Sequence, residues 1–106
     1  MKKKWRRFEV LLPHRFNDGR LVPSAWLAEA NNEIIARYGA VSFEQRQVEG
    51  RWRFEGKVYK DISARVIVDV FDTAQNRNWM KRFKARWKKK LDQLEIWMVS
   101  YRIQRE

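Results

Sequence analysis

Five side chains belong to types that could perform acid–base or nucleophilic chemistry near one another. They are His14, Asp18, Tyr59, Asp61 and Ser63. A histidine beside a carboxylate can act as a general base, but His14 is the only histidine and lies in a turn-rich segment. We therefore predict no catalytic residue. We expect Asp61 and Ser63 to bond backbone groups at a kink in a strand. A pocket lined by His14, Tyr59 and Asp61 would instead favour an enzyme acting on a small ligand.

Metal and cofactor sites are disfavoured by what the sequence lacks. It contains no cysteine and one histidine, which excludes disulfides, thiolate zinc sites and metal sites with two histidines. Asn17-Asp18-Gly19 lacks the ligand spacing of a calcium loop. The four glycines are isolated from one another, so no glycine-rich phosphate loop is present. We predict neither a metal nor a cofactor.

A strong positive charge is the most informative property of the composition. The 106 residues include 24 Lys and Arg against 13 Asp and Glu, a formal net charge of +11. The segment between Asp72 and Asp92 holds eight of the basic residues and no acid. Such a surface binds nucleic acid or another polyanion by releasing counterions. The predicted polyanion-binding residues on this segment are Arg77, Lys81, Arg82, Lys84, Arg86, Lys88 and Lys89.

Two further basic residues are interleaved with aromatic ones. Arg51 and Arg53 alternate with Trp52 and Phe54, a pattern found where bases stack beside cations. We add Arg51 and Arg53 to the predicted polyanion site. The signature of RNA-recognition domains is missing from the third strand. A solvated helix that only keeps the protein soluble, or an acidic protein partner, would also account for the charge.

Hydrophobic periodicity predicts six elements in the order βαββαβ. Ser24 is the expected cap of the first helix and Gly39 its C-terminal cap. Glu55-Gly56-Lys57 is a hairpin turn, and we expect a bulge at Gly50. This order is that of an α+β, ferredoxin-like split βαβ fold, a four-stranded antiparallel sheet with two helices on one face. The predicted strands and helices cover 5–12, 24–38, 40–54, 58–71, 73–91 and 95–103.

The other face of that sheet is predicted to be open and partly apolar. We expect Trp97, with Trp26 and Trp87, to lie in the core. An apolar face is seldom left to water in a soluble monomer, so we predict a homodimer that pairs this face about a two-fold axis. The predicted dimer residues are Leu11, Ile67, Phe71, Ile96 and Met98, mixed with Arg7, Arg65 and Asp69.

The middle of the chain resembles a family of small uncharacterised bacterial proteins. The likeness rests on Gly50-Arg51-Trp52, followed by Gly56-Lys57-Val58-Tyr59-Lys60-Asp61-Ile62-Ser63. Those proteins share a glycine, a tryptophan, a short hairpin and a polar Tyr/Asp/Ser segment. The segment Gln93-Leu94-Glu95-Ile96-Trp97 is similar to their junction between a helix and a strand. The resemblance implies an α+β domain and brings no activity with it.

The remaining expectations concern location and organisation. Residues 1–7 are basic like the start of a signal peptide, but the apolar run that should follow is interrupted by Glu9 and Pro13. No segment is long and apolar enough to cross a membrane. We therefore predict one domain over 1–106, frayed over residues 1–4, in a cytoplasmic protein. The predicted function is non-enzymatic polyanion binding through the second helix, with a homodimeric interaction subunit as the alternative.

Overall fold

The predicted order of elements is confirmed in a computed structural model, which describes residues 3–106. The side chains described exclude those of 45–50, 52 and 59–61. The elements are β1 (Trp5–Pro13), α1 (Ser24–Tyr38), β2 (Ser42–Phe54), β3 (Lys57–Phe71), α2 (Ala74–Lys90) and β4 (Met98–Ile103).

The four strands form one antiparallel sheet in the order β2-β3-β1-β4. The first strand therefore lies between the third and the last. Trp5 is opposite Phe71 on one side and opposite Ile103 on the other. This arrangement is the split βαβ topology, in which each helix connects two strands that have a third strand between them.

Strict alternation places one face of the sheet against both helices. Phe8, Val10 and Leu12 of β1 are buried, as are the residues opposite them in β3, which are Val68, Val66 and Ala64. Each helix contributes one apolar stripe to the same core, which α2 supplies with Met80, Phe83 and Trp87. Burial of these stripes supplies most of the stability of helices this short.

The ends of the helices follow local chemistry. Gly39 ends α1 at φ 80° and donates its amide to Ile35 O, a conformation that costs glycine little. Thr73 caps α2 by accepting from the Asn76 amide. The prediction for Ser24 was wrong by one residue: Pro23 occupies the cap position, and its carbonyl accepts from the Trp26 amide. Ser24 is instead the first residue of the helix.

The face assignment of the last strand was also wrong. β4 begins at Met98, three residues later than predicted. Met98 is opposite the buried Val10, and Ile96 is 1% exposed within the core. Both residues therefore lie on the helix side. Trp97 and Tyr101, one residue out of step, are on the open face, because a shift of one residue in a strand exchanges its two faces.

The β2–β3 hairpin continues beyond the four-stranded part of the sheet. β3 pairs with β1 only as far as Ser63, and residues 48–62 pair with each other. The ladder is irregular between Glu44 and Val48, not at Gly50, and it runs without interruption through Asp61. The expected bulge and kink were misplaced.

Candidate functional site

Half of the basic residues on α2 are paired with acids from other elements. Lys84 Nζ lies 3.0 Å from Glu95 Oε1, and Lys90 Nζ lies 2.8 Å from Glu29 Oε2. Arg86 is 3.6 Å from Glu33, which also accepts a 2.6 Å hydrogen bond from the Trp87 indole. Arg77 is bonded to Asp72. These acids lie outside the helix in sequence. The run of basic residues within α2 therefore overstates the positive potential around the folded helix.

The other four cations of α2 have no ion pair among the described side chains. They are Lys81, Arg82, Lys88 and Lys89, which we call the α2 cation set. Lys81, Arg82 and Lys89 are exposed and Lys88 is half-buried. Because their charge is not compensated, they are the part of the predicted polyanion site that could attract phosphates.

Arg51 and Arg53 lie apart from this set. Both are exposed residues of β2, opposite Lys60 and Val58 in the two-stranded segment of the hairpin. The α2 helix packs instead over the four-stranded part of the sheet, where Phe83 and Trp87 meet Phe8 in the core. The structure therefore places the two groups of predicted polyanion-binding residues on separate parts of the fold.

A cluster of three arginines around one carboxylate joins the ends of four elements, β1, β3, α2 and β4. Asp72 follows β3, and its side chain is 1% exposed. It accepts hydrogen bonds from Arg6 at 3.0 Å, from Arg102 at 2.8 Å and from Arg77. The hydrogen bond from Arg6, with those from Arg102 and Arg77, holds the pKa of Asp72 well below its usual range despite burial. Sequence reasoning missed this cluster, since its members are 5 to 66 residues from Asp72.

The open face of the sheet carries a row of paired polar residues through its centre. Arg7 lies 2.8 Å from Asp69, and its hydrogen bond to that carboxylate raises the pKa of the guanidinium. Glu9 accepts a 2.7 Å hydrogen bond from the Tyr101 hydroxyl and lies 3.6 Å from Arg65. The bond to Glu9 raises the pKa of Tyr101.

Apolar and aromatic groups surround that polar row. Trp97 is 48% exposed, and Leu11, Ile67 and Phe71 are half-buried on the same face. The rings of Trp5 and Phe71 are 4.4 Å apart. Leu11, Ile67 and Phe71 lie where we predicted a dimer surface. Trp97 and Tyr101 lie on this face, where we predicted Ile96 and Met98. The two pairs of residues differ only in which alternate positions of the segment 96–101 they occupy.

The side chains considered for catalysis do not form a catalytic pair where they are described. His14 is half-buried; its amide donates to Ile62 O and its carbonyl accepts from the Val22 amide. Its Nε2 atom is buried without a partner among the described groups. Asp18 bonds Arg20 in an exposed turn, and Ser63 is buried. The side chains of Tyr59 and Asp61 lie outside the described residues.

Two further features are missing from the described residues. Among them, no group of three or more His, Asp or Glu side chains could hold a metal ion. Within that part of the chain, no helix has the length and hydropathy required to cross a membrane.

Known proteins resemble this chain in structure rather than in sequence. No family model and no curated protein matches it. CutA1 from Oryza sativa is 13% identical, with 98% of this chain and 84% of that chain covered at a TM-score of 0.66. A phage SAM lyase in complex with S-methyl-5'-thioadenosine is 10% identical over 99% and 92%, also at 0.66. The divalent cation tolerance protein CutA1 from Thermus thermophilus is 12% identical over 96% and 86%, at 0.65. Identities this low establish the fold alone, which is ferredoxin-like.

Proposed function

We propose that this protein is a non-enzymatic binding module that associates with itself through the open face of its sheet. The observation that supports this most directly is the exposure of Trp97 and Tyr101 beside half-buried Leu11, Ile67 and Phe71. An exposed surface that carries apolar and aromatic groups of this kind marks an interaction site in a soluble protein. A second copy is a natural occupant, because two-fold pairing covers the same surface on both protomers.

The charge of the open face supports a protein partner over a polyanion. Arg7 and Arg65 are offset by Asp69, Glu9 and Glu44 at 2.8 to 3.9 Å. Two further cations, Lys3 and Arg105, lie over the rings of Phe71 and Trp5. The described charges of this face therefore nearly balance, although the chain carries a net charge of +11. Few unpaired charges together with exposed aromatic side chains are typical of protein–protein interfaces.

Changing Ile67 to Asp should split the assembly while the fold survives. Ile67 lies at the centre of the open face and is only half-buried within one chain, so the carboxylate stays solvated in the monomer but would be desolvated in the interface. We expect wild-type protein to scatter light as a dimer or larger species at high micromolar concentration. Ile67→Asp should scatter at 13.0 kDa.

The matched control is Leu21→Asp, which makes the same change at a residue that is 65% exposed in a loop away from this face. Leu21→Asp should keep the wild-type mass and circular dichroism. Wild-type protein that scatters as a 13.0 kDa monomer would refute self-association.

Polyanion binding through α2 is the second candidate activity. It is favoured by the α2 cation set, whose four charges have no ion pair among the described side chains. The set lies on the helix side of the sheet, so an assembly built on the open face would leave it accessible. We also propose a cytoplasmic location. The chain has no cysteine, and cytosolic proteins rarely contain disulfides.

A small-ligand enzyme is the third possibility. It is favoured by the likeness to the phage SAM lyase and by the Nε2 atom of His14, which has no partner among the described groups. The binding-module proposal predicts no saturable heat when S-methyl-5'-thioadenosine is titrated into the protein in a calorimeter. Saturable binding that His14→Ala abolishes, with the melting temperature unchanged, would replace the proposal with a small-ligand enzyme.

A further inference from the structure

A cleft of about 490 Å³ runs between α2 and the edge of the sheet formed by β4. Phe8 and Met98 line it with apolar groups, and Ser100 lies on its strand side. The helix side consists of Arg77, Lys81 and Lys84, which follow one another at intervals of four and three residues. Residues with this spacing share one face of a helix, so the three cations line one wall.

Among the described residues, the outer edge of the strand that forms the other wall has no partner strand. β4 is the last strand in the sheet order. The Leu11 amide donates to Trp97 O at 3.0 Å, and Met98 is opposite Val10. Because antiparallel hydrogen bonds alternate along a strand, the N–H and C=O groups of Met98, Ser100 and Arg102 point away from β1. Within the described part of the chain, no strand pairs with that edge.

The cleft has an excess of positive charge. Arg77 and Lys84 are held in place by Asp72 and Glu95, whereas Lys81 is exposed and has no ion pair among the described groups. Two more arginines bond Asp72 at one end of the strand. In and beside the cleft there are thus five cations and only two carboxylates. The cations are Arg6, Arg77, Lys81, Lys84 and Arg102, and the carboxylates are Asp72 and Glu95. An occupant with negative charge would complement this wall.

We propose that the β4 edge and α2 together bind an extended acidic segment of another protein, which adds a fifth strand to the sheet. The spacing supports this occupant. The four residues from Arg77 to Lys81 rise about 6 Å along the helix, and alternate residues of a strand are about 6.7 Å apart. Acidic side chains two positions apart would therefore face Arg77 and Lys81, while the backbone of the segment bonds the strand edge.

A peptide fits this cleft better than a nucleic acid does. The free edge offers alternating donors and acceptors that only another peptide backbone matches in register, and Phe8 and Met98 present apolar surface under the helix. The proposal does not depend on self-association through the open face, because the cleft is on the helix side and at the edge of the sheet.

The test uses the full chain and a fluorescein-labelled octapeptide, Thr-Glu-Val-Glu-Val-Glu-Val-Thr, with binding followed by fluorescence anisotropy. Lys81→Glu should weaken binding about tenfold or more, because it reverses the charge that has no partner in the wall. Arg37→Glu makes the same charge reversal at an exposed residue of α1 outside the cleft. It should leave the affinity within about threefold of wild type.

Two control peptides separate strand addition from simple charge attraction. One has the same composition with its three glutamates adjacent, and the other has proline in place of the central valine, which removes a backbone donor. Both should bind about tenfold more weakly. Equal binding of the three peptides, equal losses in the two variants, or competition by free phosphate at the same strength would overturn the proposal. A change of molar mass in Lys81→Glu alone would assign the edge to a second copy and overturn it as well.

Discussion

Replacing Arg82, Lys88 and Lys89 with glutamine should remove most of the affinity of this protein for nucleic acid or heparin. These residues belong to the α2 cation set and have no ion pair among the described side chains. Each phosphate contact contributes about 0.9 to the slope of log K against log salt. The triple variant should therefore bind about 100-fold more weakly in 0.1 M salt, and its slope should fall by about 2 to 3.

The matched control removes the same net charge at three other places. Lys4, Arg15 and Arg37 are exposed and lie outside α2, so changing them to glutamine should lower affinity only through the smaller overall field. Fluorescence titrations with single- and double-stranded DNA and RNA across a salt series would measure both variants. Equal losses in the two variants would refute a site on α2. Absence of binding by wild-type protein at low salt would refute the second candidate activity.

Asp72→Asn should lower the free energy of unfolding more than any other neutralisation of an acid on the sheet. The change keeps the shape of the side chain but leaves Arg6, Arg77 and Arg102 close together around a neutral group. Breaking a fully buried pair costs about 3–5 kcal/mol. Since these guanidiniums are 20% to 58% exposed, solvent screening reduces the expected loss to about 2 kcal/mol. For a domain of this size that loss lowers the melting temperature by about 10 °C.

Asp69→Asn is the matched control, because it neutralises a single pair with Arg7 in which both side chains are partly exposed. Its cost should stay below about 1 kcal/mol. Thermal melts followed by circular dichroism would compare the two. Equal losses would show that the three-arginine cluster contributes no more than an ordinary surface pair.

The same cluster predicts how stability depends on pH. Since the pKa of Asp72 is lower in the folded chain than the unfolded value of about 3.9, the unfolded state binds the proton first. The stabilisation that the ionised Asp72 side chain contributes to the folded state is therefore complete above about pH 5 and is lost progressively as the pH falls below about 4. The free energy of unfolding of wild-type protein should fall over this range, and that of Asp72→Asn should fall by a smaller amount.

The fold could be predicted from the sequence because its signals are local. Alternation through Phe8, Val10 and Leu12 identifies β1, and Gly39 marks the end of α1. The faces of β4 could not be predicted in this way. Ile96 and Met98 alternate with Trp97 and Val99, so both sets are apolar and either could face the helices. Only the register with Val10 decides which set is buried.

The functional surfaces were predicted less completely, for a related reason. The excess charge of α2 is visible in the sequence, but the acids that neutralise half of it come from α1 and from the segments that flank the helix. Glu33 is 53 residues before Arg86 in the chain, and no periodicity within α2 indicates that pair. The cluster around Asp72 and the cleft beside β4 likewise depend on contacts between distant elements.

The central place of β1 has a consequence for the order of folding. β1 comes first among the described strands, yet its two neighbours are residues 63–71 and 98–103. Its backbone hydrogen bonds on the β4 side cannot form until residues 98–103 have been synthesised. Pairing between strands so far apart in sequence stabilises the chain only when its favourable free energy exceeds the entropic cost of closing the long loops. The sheet is therefore completed by the slowest kind of contact, and the β2–β3 hairpin, whose partners are adjacent in sequence, is the segment best placed to form before it.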